Sequence, residues 1–211
     1  MKLYYSPGAC SLAPHIALRE LGLPFEAVAV SLEHKTTADG ADYLAINPKG
    51  YVPALELDAG GVLTECPAIL QYLADRKPDA GMAPANGTLE RYRLQEWLGF
   101  INSEIHQRFG PLIHVATEPV QQQAREALAR RFDLVESALR GRDYLLGERF
   151  TVADAYLYTV VNWTARAGIE RAHWPALAGF HARIGARPAV QAARAAERAW
   201  QVPGRPENSA R

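Results

Sequence analysis

Cysteine is scarce in this chain: Cys10 and Cys66 are the only two among 211 residues. Two such residues, each beside an expected helix start, give no disulfide framework, and a reducing compartment keeps them as thiols. An excess of charge of either sign is missing too. Lys plus Arg and Asp plus Glu stand at 23 each, so no net field favours nucleic acid or an anionic membrane surface. Long hydrophobic runs are also absent, and none approaches the roughly 18 to 20 residues needed to span a bilayer. No apolar stretch of signal-peptide length precedes Met1-Lys2-Leu3-Tyr4-Tyr5-Ser6-Pro7-Gly8. These absences make a cytoplasmic location the expectation, with no membrane and no nucleic-acid partner. What remains as a partner is a small molecule or a second copy of the chain.

Hydrophobic residues make up 48% of the chain and charged residues 22%, enough apolar material for a folded protein with a sizeable core. The pattern changes character once along its length. Lys2 to Tyr5 is a short strand, followed by a helical stretch of Leu12, Ile16, Ala17, Leu18 and Leu21 that stops at Gly22. Phe25 to Val30 alternates as a second strand, and a polar helix is expected between Thr36 and Ile46. Pro53 to Leu57 and Val62 to Glu65 read as strands joined by the Asp58-Ala59-Gly60-Gly61 turn, and Pro67 to Ala74 as a helix. Residues 1–80 thus read β-α-β-α-β-β-α. Residues 81–87, rich in Pro, Gly, Ala and Asn, mark a linker. From 88 to 211 the pattern is helical throughout. Leu94, Leu98, Ile101, Ile105, Phe109 and Leu112 recur over one long helix, Gln121 to Leu139 over another, and Thr151 with Asp154 forms a capping box. The fold class is α/β followed by an all-α bundle.

Cys10 follows Ser6-Pro7-Gly8-Ala9 directly after the first strand, so its sulfur is expected at the positive end of the first helix. There the macrodipole and free N–H groups favour a thiolate. A cysteine at an arbitrary position is more often a buried structural residue; a strand-to-helix turn reverses that preference. The run Cys10-Ser11-Leu12-Ala13 has no second cysteine at the resolving position. The sequence therefore argues against a thioredoxin-type dithiol and for a monothiol that pairs with an external one. Val52-Pro53 either begins the third strand or takes the cis form, which would offer the Val52 peptide to an extended ligand. Glu65-Cys66-Pro67 opens a helix whose free N–H groups can hold a carboxylate while Glu65 meets an ammonium. Lys35, at the head of the expected second helix, puts a positive charge at the same sheet end. In the helical half, Gly99, Ser103, His106 and Gly110 share one stripe beside the apolar face, as a cleft wall requires. His106 read alone fits a surface or interdomain position equally well.

The segments Lys2 to Ser11, Asn47-Pro48-Lys49-Gly50-Tyr51-Val52-Pro53, Leu63-Thr64-Glu65 and Phe150-Thr151-Val152-Ala153-Asp154 resemble the bacterial beta class of glutathione transferases. The likeness runs from Met1 to about Ala195, with the motifs in the family's order. It implies a thioredoxin-like first domain over residues 1–80, a helical second domain over 88–211, and a homodimer. It further implies a glutathione site with Cys10 facing the ligand sulfur, Val52 and Pro53 holding the cysteinyl backbone, and Glu65 with Cys66 at the γ-glutamyl end. Lys35 would meet the glycyl carboxylate, Ser11 and Ser103 would lie nearby, and His106 would approach the sulfur. Glutathione is then a co-substrate, with no metal and no other cofactor. The chain departs from the family at Cys66, where glycine or serine is usual, at Gly99, where asparagine is common, and at Gln107, a frequent lysine.

The activity implied is conjugation of glutathione to electrophilic small molecules, with thiol–disulfide exchange or peroxidase activity through Cys10. Tyr5 ranks below Cys10 as an activator. Walls toward the electrophile would come from near Phe109, Leu112, His114 and Trp163, residues that suit the core equally well. A non-catalytic carrier or partner-binding protein of the same fold, or a glutathione-dependent isomerase or dehalogenase, would retain much of the same sequence.

Overall fold

The computed structural model describes residues 1–200; the end of the expected second domain, 201–211, lies outside the described residues. A five-stranded sheet forms from β1 (Lys2–Tyr5), β2 (Glu26–Ser31), β3 (Thr36–Thr37), β4 (Ala54–Glu56) and β5 (Val62–Thr64), in the order β3-β2-β1-β4-β5. The β1–β2 pair is parallel, with Leu3 opposite Ala27, and the other pairs are antiparallel. Parallel pairing needs a crossover, and α1 (Leu12–Leu21) supplies it, ending at Gly22, whose φ of 62° suits a residue with no Cβ. Side chains along β1 alternate faces. Leu3 joins the main core with α1 and α3 (Cys66–Arg76), whereas Tyr4 packs with Val30, Tyr43, Val52 and Ala54 on the other side.

The region expected to be a helix from Thr36 to Ile46 is divided. Thr36 and Thr37 form β3 against β2, and only α2 (Tyr43–Ile46) is helical, capped by the Asp42 carboxylate accepting from Leu44 N–H at 2.9 Å. Two adjacent β-branched threonines suit a strand edge, and the Thr37 hydroxyl ties the intervening turn to Asp39 and Ala41. Lys35 consequently lies in the turn between β2 and β3, with φ of 54°, and not at a helix head.

All elements after residue 88 are helical among the described residues: α4 (Leu89–Phe100), α5 (Gly110–Ile113), α6 (Glu118–Leu139), α7 (Val152–Val161), α8 (Trp163–Arg166), α9 (Pro175–Gly185) and α10 (Pro188–Arg198). The long helix expected through Leu112 is broken. A π segment covers Ile101–Ile105 and a 3-10 turn covers His106–Phe109 before α5 begins. Pro111 has no N–H to donate and its ring crowds the carbonyl four residues back, so a regular helix cannot pass through it. The apolar spacing hides this, because Ile101, Ile105 and Phe109 remain fully buried across the break.

α7 is buried along its whole length and packs against α1, α3, α4 and α9. It is the axis on which the sheet-bearing half and the helical half meet. Arg91 on α4 forms a two-pronged pair with Asp75 on α3, both bonds at 2.8 Å, and Met82 C=O between them accepts from Val152 N–H at 3.0 Å. The start of α7 is fixed by the capping box seen in the sequence. The Asp154 carboxylate accepts from the Thr151 N–H and hydroxyl and from Leu145 N–H. Burial pushes that carboxyl up to about 6, against the hydrogen bonds that hold it down. Asp154→Ala would strand buried donors at about 1–3 kcal/mol each. We expect a loss of about 3 kcal/mol in cooperative unfolding by denaturant; a change below about 0.5 kcal/mol would mean that α7 needs no such cap.

Candidate active site

The end of β1, the N-terminus of α1 and the N-terminus of α3 converge beneath the broken helix that carries His106. Cys10 sits in the turn just before α1, half-buried, and its thiol donates to Val52 C=O at 3.2 Å. Cys66, the first residue of α3, is buried beside it, with Sγ 3.4 Å from the Cys10 carbonyl oxygen. His106 reaches Cys10 from the helical half as a further hydrogen-bond partner. Cys10 is therefore the acidic thiol of the pair, lowered to about 6 first by the Cys66 hydrogen bond and then by His106, against the opposing effect of burial. The Cys66 thiol is pushed well up, by burial first and then by the adjoining Cys10 charge. One thiolate between the two sulfurs is the arrangement that like-charge repulsion allows.

His106 is oriented by a chain that the sequence did not reveal. Its Nδ1 lies 2.7 Å from the Tyr156 hydroxyl, which donates to Asn102 Oδ1 at 2.9 Å. With Nδ1 turned to Tyr156, Nε2 is the ring's remaining polar atom. Trp163 packs edge-on to the imidazole at 4.9 Å and donates its indole N–H to Gly8 C=O at 2.8 Å. Asn102, four residues before His106, was within reach of an i,i+4 reading; Tyr156 was not, hidden in an apolar run.

The other expected residues divide by what their polar atoms already meet. Ser11 is fully buried, and its hydroxyl accepts from Ser6 N–H and donates to Ser6 C=O, so it shapes the Cys10 loop and presents no free donor to a ligand sulfur. Val52 and Pro53 are buried and joined by a cis peptide bond. Glu65 caps α3 with φ of 71°, a conformation that non-glycine residues seldom adopt and that clusters at ligand clamps. Its exposed carboxylate meets Lys49 Nζ at 2.7 Å. Lys35 Nζ donates to Gly50 C=O at 2.9 Å and lies over the Tyr51 ring. Ser103 is exposed and donates to Gly99 C=O at 3.0 Å. A Cβ at Gly99 would meet no atom within 4 Å, so packing does not require glycine there.

Two residues weighed for the site lie elsewhere, one of them in the core that the sequence allowed it equally. Phe109 is fully buried between Phe132 and Trp163 and belongs to the core. Tyr5 is buried against His15 on the α1 side of the sheet, where burial raises its hydroxyl. Among the described residues no cluster of three or more His, Cys, Asp or Glu side chains is placed to hold a metal.

This is the architecture of a thioredoxin-like domain joined to a helical one, with a reactive thiol at their junction. The family description "Glutathione S-transferase, N-terminal domain" matches residues 8–76, and "Glutathione S-transferase, C-terminal domain" matches residues 96–188. The chain is 45% identical to glutathione S-transferase GstA of Escherichia coli O157:H7, over 93% of this chain and 98% of that one. Among solved structures, a sphingomonad glutathione S-transferase complexed with glutathione is 50% identical, with a TM-score of 0.91 over 93% of this chain and 98% of that one. A bacterial beta class glutathione S-transferase of Sphingomonas chungbukensis is 47% identical, with a TM-score of 0.90 over the same shares. The chain belongs to the glutathione S-transferase family, and the beta class expected from its motifs agrees with these neighbours.

The acidity of Cys10 gives a direct measurement. Alkylation by iodoacetamide proceeds through the thiolate, so its rate at Cys10 should rise with pH through a midpoint near 6. His106→Ala and Cys66→Ala each remove a donor to that charge and should move the midpoint upward. A parent midpoint near the free-cysteine value of about 8.5 would contradict the arrangement.

Proposed function

We propose that the protein is a glutathione transferase of the cytoplasm that conjugates glutathione to electrophilic small molecules and also exchanges disulfides through Cys10. The observation that carries this is the single acidic thiol at the start of α1, supported by Cys66 and His106. Conjugation requires glutathione as a thiolate, and donors preorganised around one sulfur favour negative charge on another placed beside it. Two thiolates in contact repel, so with glutathione bound as the anion Cys10 takes the proton and acts as a donor. In exchange the roles reverse: Cys10 is the thiolate, attacks an oxidised glutathione, and releases one glutathione thiolate.

In this reading glutathione lies along Val52 with its cysteinyl backbone on that peptide. Its γ-glutamyl end meets the Glu65 carboxylate and the N–H groups at the head of α3, and its glycyl carboxylate meets Lys35. The strained backbone of Glu65 and the Lys49 contact that occupies its carboxylate support this as a ligand clamp. Ser103 would border the open side beneath His106. Residues 1–80 serve glutathione, and the helical residues after 88 supply His106 and a wall toward the electrophile that includes Leu112, His114 and Trp163. A cytoplasmic site suits two free thiols, and among the described residues no helix is long and apolar enough to cross a membrane.

One set of steady-state assays separates these roles. Cys10→Ala should lower conjugation kcat/KM by about 1–3 kcal/mol of transition-state stabilisation, the scale of one lost donor, and abolish exchange with a disulfide. Glu65→Ala should raise the KM for glutathione in both assays. Equal and complete loss of both reactions in Cys10→Ala would sink the assignment.

We further propose a homodimer, consistent with large apolar side chains left exposed at Tyr51, Leu89 and Tyr92. Sedimentation at micromolar concentration should show a species of twice the chain mass; a lone monomer would refute it.

A further inference from the structure

The proposed exchange reaction gives Cys66 no chemical task, yet its surroundings are those of a second reactive sulfur. Its side chain is 4% exposed, while Cys10 is open enough to be met from outside. Its Sγ rests 3.4 Å from the Cys10 main-chain oxygen, to which its thiol donates, and the Cys10 sulfur is its neighbour. The Tyr156 hydroxyl is a further neighbour of Cys66. A reagent from solvent thus reaches Cys10, and Cys10 alone of the two thiols is positioned to pass it inward. The sequence placed no cysteine a turn further along α1, where a thioredoxin-type partner would stand. The fold supplies one from the head of the neighbouring helix instead.

We propose that Cys66 is a resolving thiol for Cys10: once Cys10 holds glutathione as a mixed disulfide, Cys66 attacks the Cys10 sulfur and closes a Cys10–Cys66 disulfide. This rests on the exchange reading above. The electron pair of the Cys66 thiolate forms the new S–S bond. The bond between the Cys10 sulfur and glutathione breaks, and its electron pair leaves on the glutathione sulfur. The proton lost by Cys66 balances the one taken up by the departing glutathione. No net oxidation occurs, since one disulfide replaces another. Two reduced glutathiones reopen the ring, the first adding to Cys10 and the second leaving with it as oxidised glutathione.

Electrostatics order these events. Besides burial, the Cys66 thiol is held protonated by the charge of the neighbouring Cys10 thiolate. That influence vanishes when Cys10 enters a mixed disulfide, so Cys66 becomes easier to ionise when there is a bond for it to attack. A thiolate of high intrinsic basicity is also the stronger nucleophile. Glutathione, entering from solvent, lies on the open side of Cys10, so the sulfur facing Cys66 is that of Cys10.

The test is peptide mapping after acid quench of protein treated with limiting oxidised glutathione. The parent should yield the Cys10 and Cys66 peptides joined to each other without glutathione, and Cys66→Ser should stop with glutathione on Cys10. Equilibrium supplies a second readout that needs no variant. An internal disulfide depends on the square of reduced glutathione, so diluting a fixed glutathione redox mixture tenfold should raise the oxidised-to-reduced ratio of the parent about tenfold; a mixed disulfide is indifferent to dilution. A parent that retains glutathione on Cys10, with no dilution effect, or that carries glutathione on Cys66, would overturn the proposal while leaving exchange at Cys10 intact. No modification of the parent or of Cys66→Ser would overturn the exchange reading and this proposal with it. If Cys66→Ser lacks the circular dichroism of the folded parent, the dilution measurement decides.

Discussion

The short loop between β1 and α1 has to hold a charged sulfur in place with no regular structure of its own, and it does so by being bonded from the far end of the chain. Gly8 N–H donates to Glu197 Oε2 at 3.1 Å, and Gly8 C=O accepts from the Trp163 indole at 2.8 Å. Both polar groups of one peptide position are therefore satisfied by the helical half. Gly8 itself adopts φ of 72°, a conformation that glycine takes without steric cost. Glu197 is in turn buried and hydrogen-bonded to His15 Nδ1 at 3.1 Å, while Arg19 donates to His15 Nε2. A buried carboxylate without such partners is strongly destabilising. Removing any member of this chain disturbs the loop that carries Cys10 as well as the packing of α10 on α1.

The same junction explains why two cysteines in one pocket behave differently. Each is at a helix start, and the sequence ranks Cys10 first only through its turn and the family motif. The difference lies in neighbours: Cys66 and His106 favour charge on the Cys10 sulfur, whereas burial and the charges of Cys10 and Glu65 oppose it on Cys66. His106 is effective because Asn102 and Tyr156 fix its ring. The π segment at Ile101–Ile105 is what allows Ile101 and Ile105 to stay buried on either side of Asn102 while the chain turns to bring His106 over the sulfur.

What the sequence made legible follows from range. Local signals read well: the strand at Lys2 to Tyr5, the Gly22 stop, the turn at Asp58 to Gly61, and the Thr151 and Asp154 cap are each set by neighbours a few residues apart. The helix expected from Thr36 to Ile46 became a strand and a short helix because pairing with β2, a contact across the sheet, outweighed local propensity. The break near Pro111 was masked by apolar spacing that satisfies both a continuous and a broken helix. At the site, Cys10, Cys66 and His106 were named from motif and stripe, but their mutual contact is a product of chain folding over long separations. Tyr156 and Glu197 gave no signal because one lies in an apolar run and the other in a charged, amphipathic helix whose buried side is evident only after docking.

The clamp on Gly8 also sets an order in time. The loop is made 189 residues before the carboxylate that closes it. At synthesis rates of about 5–20 residues per second, that gap lasts roughly 10 to 40 seconds. During this interval the emerging sheet carries its cysteine without Glu197 or, for most of the time, without Trp163 and His106. Until the helices follow, the thiol has Cys66 beside it but lacks the histidine that lowers it further, so its full acidity comes only with the second half of the chain.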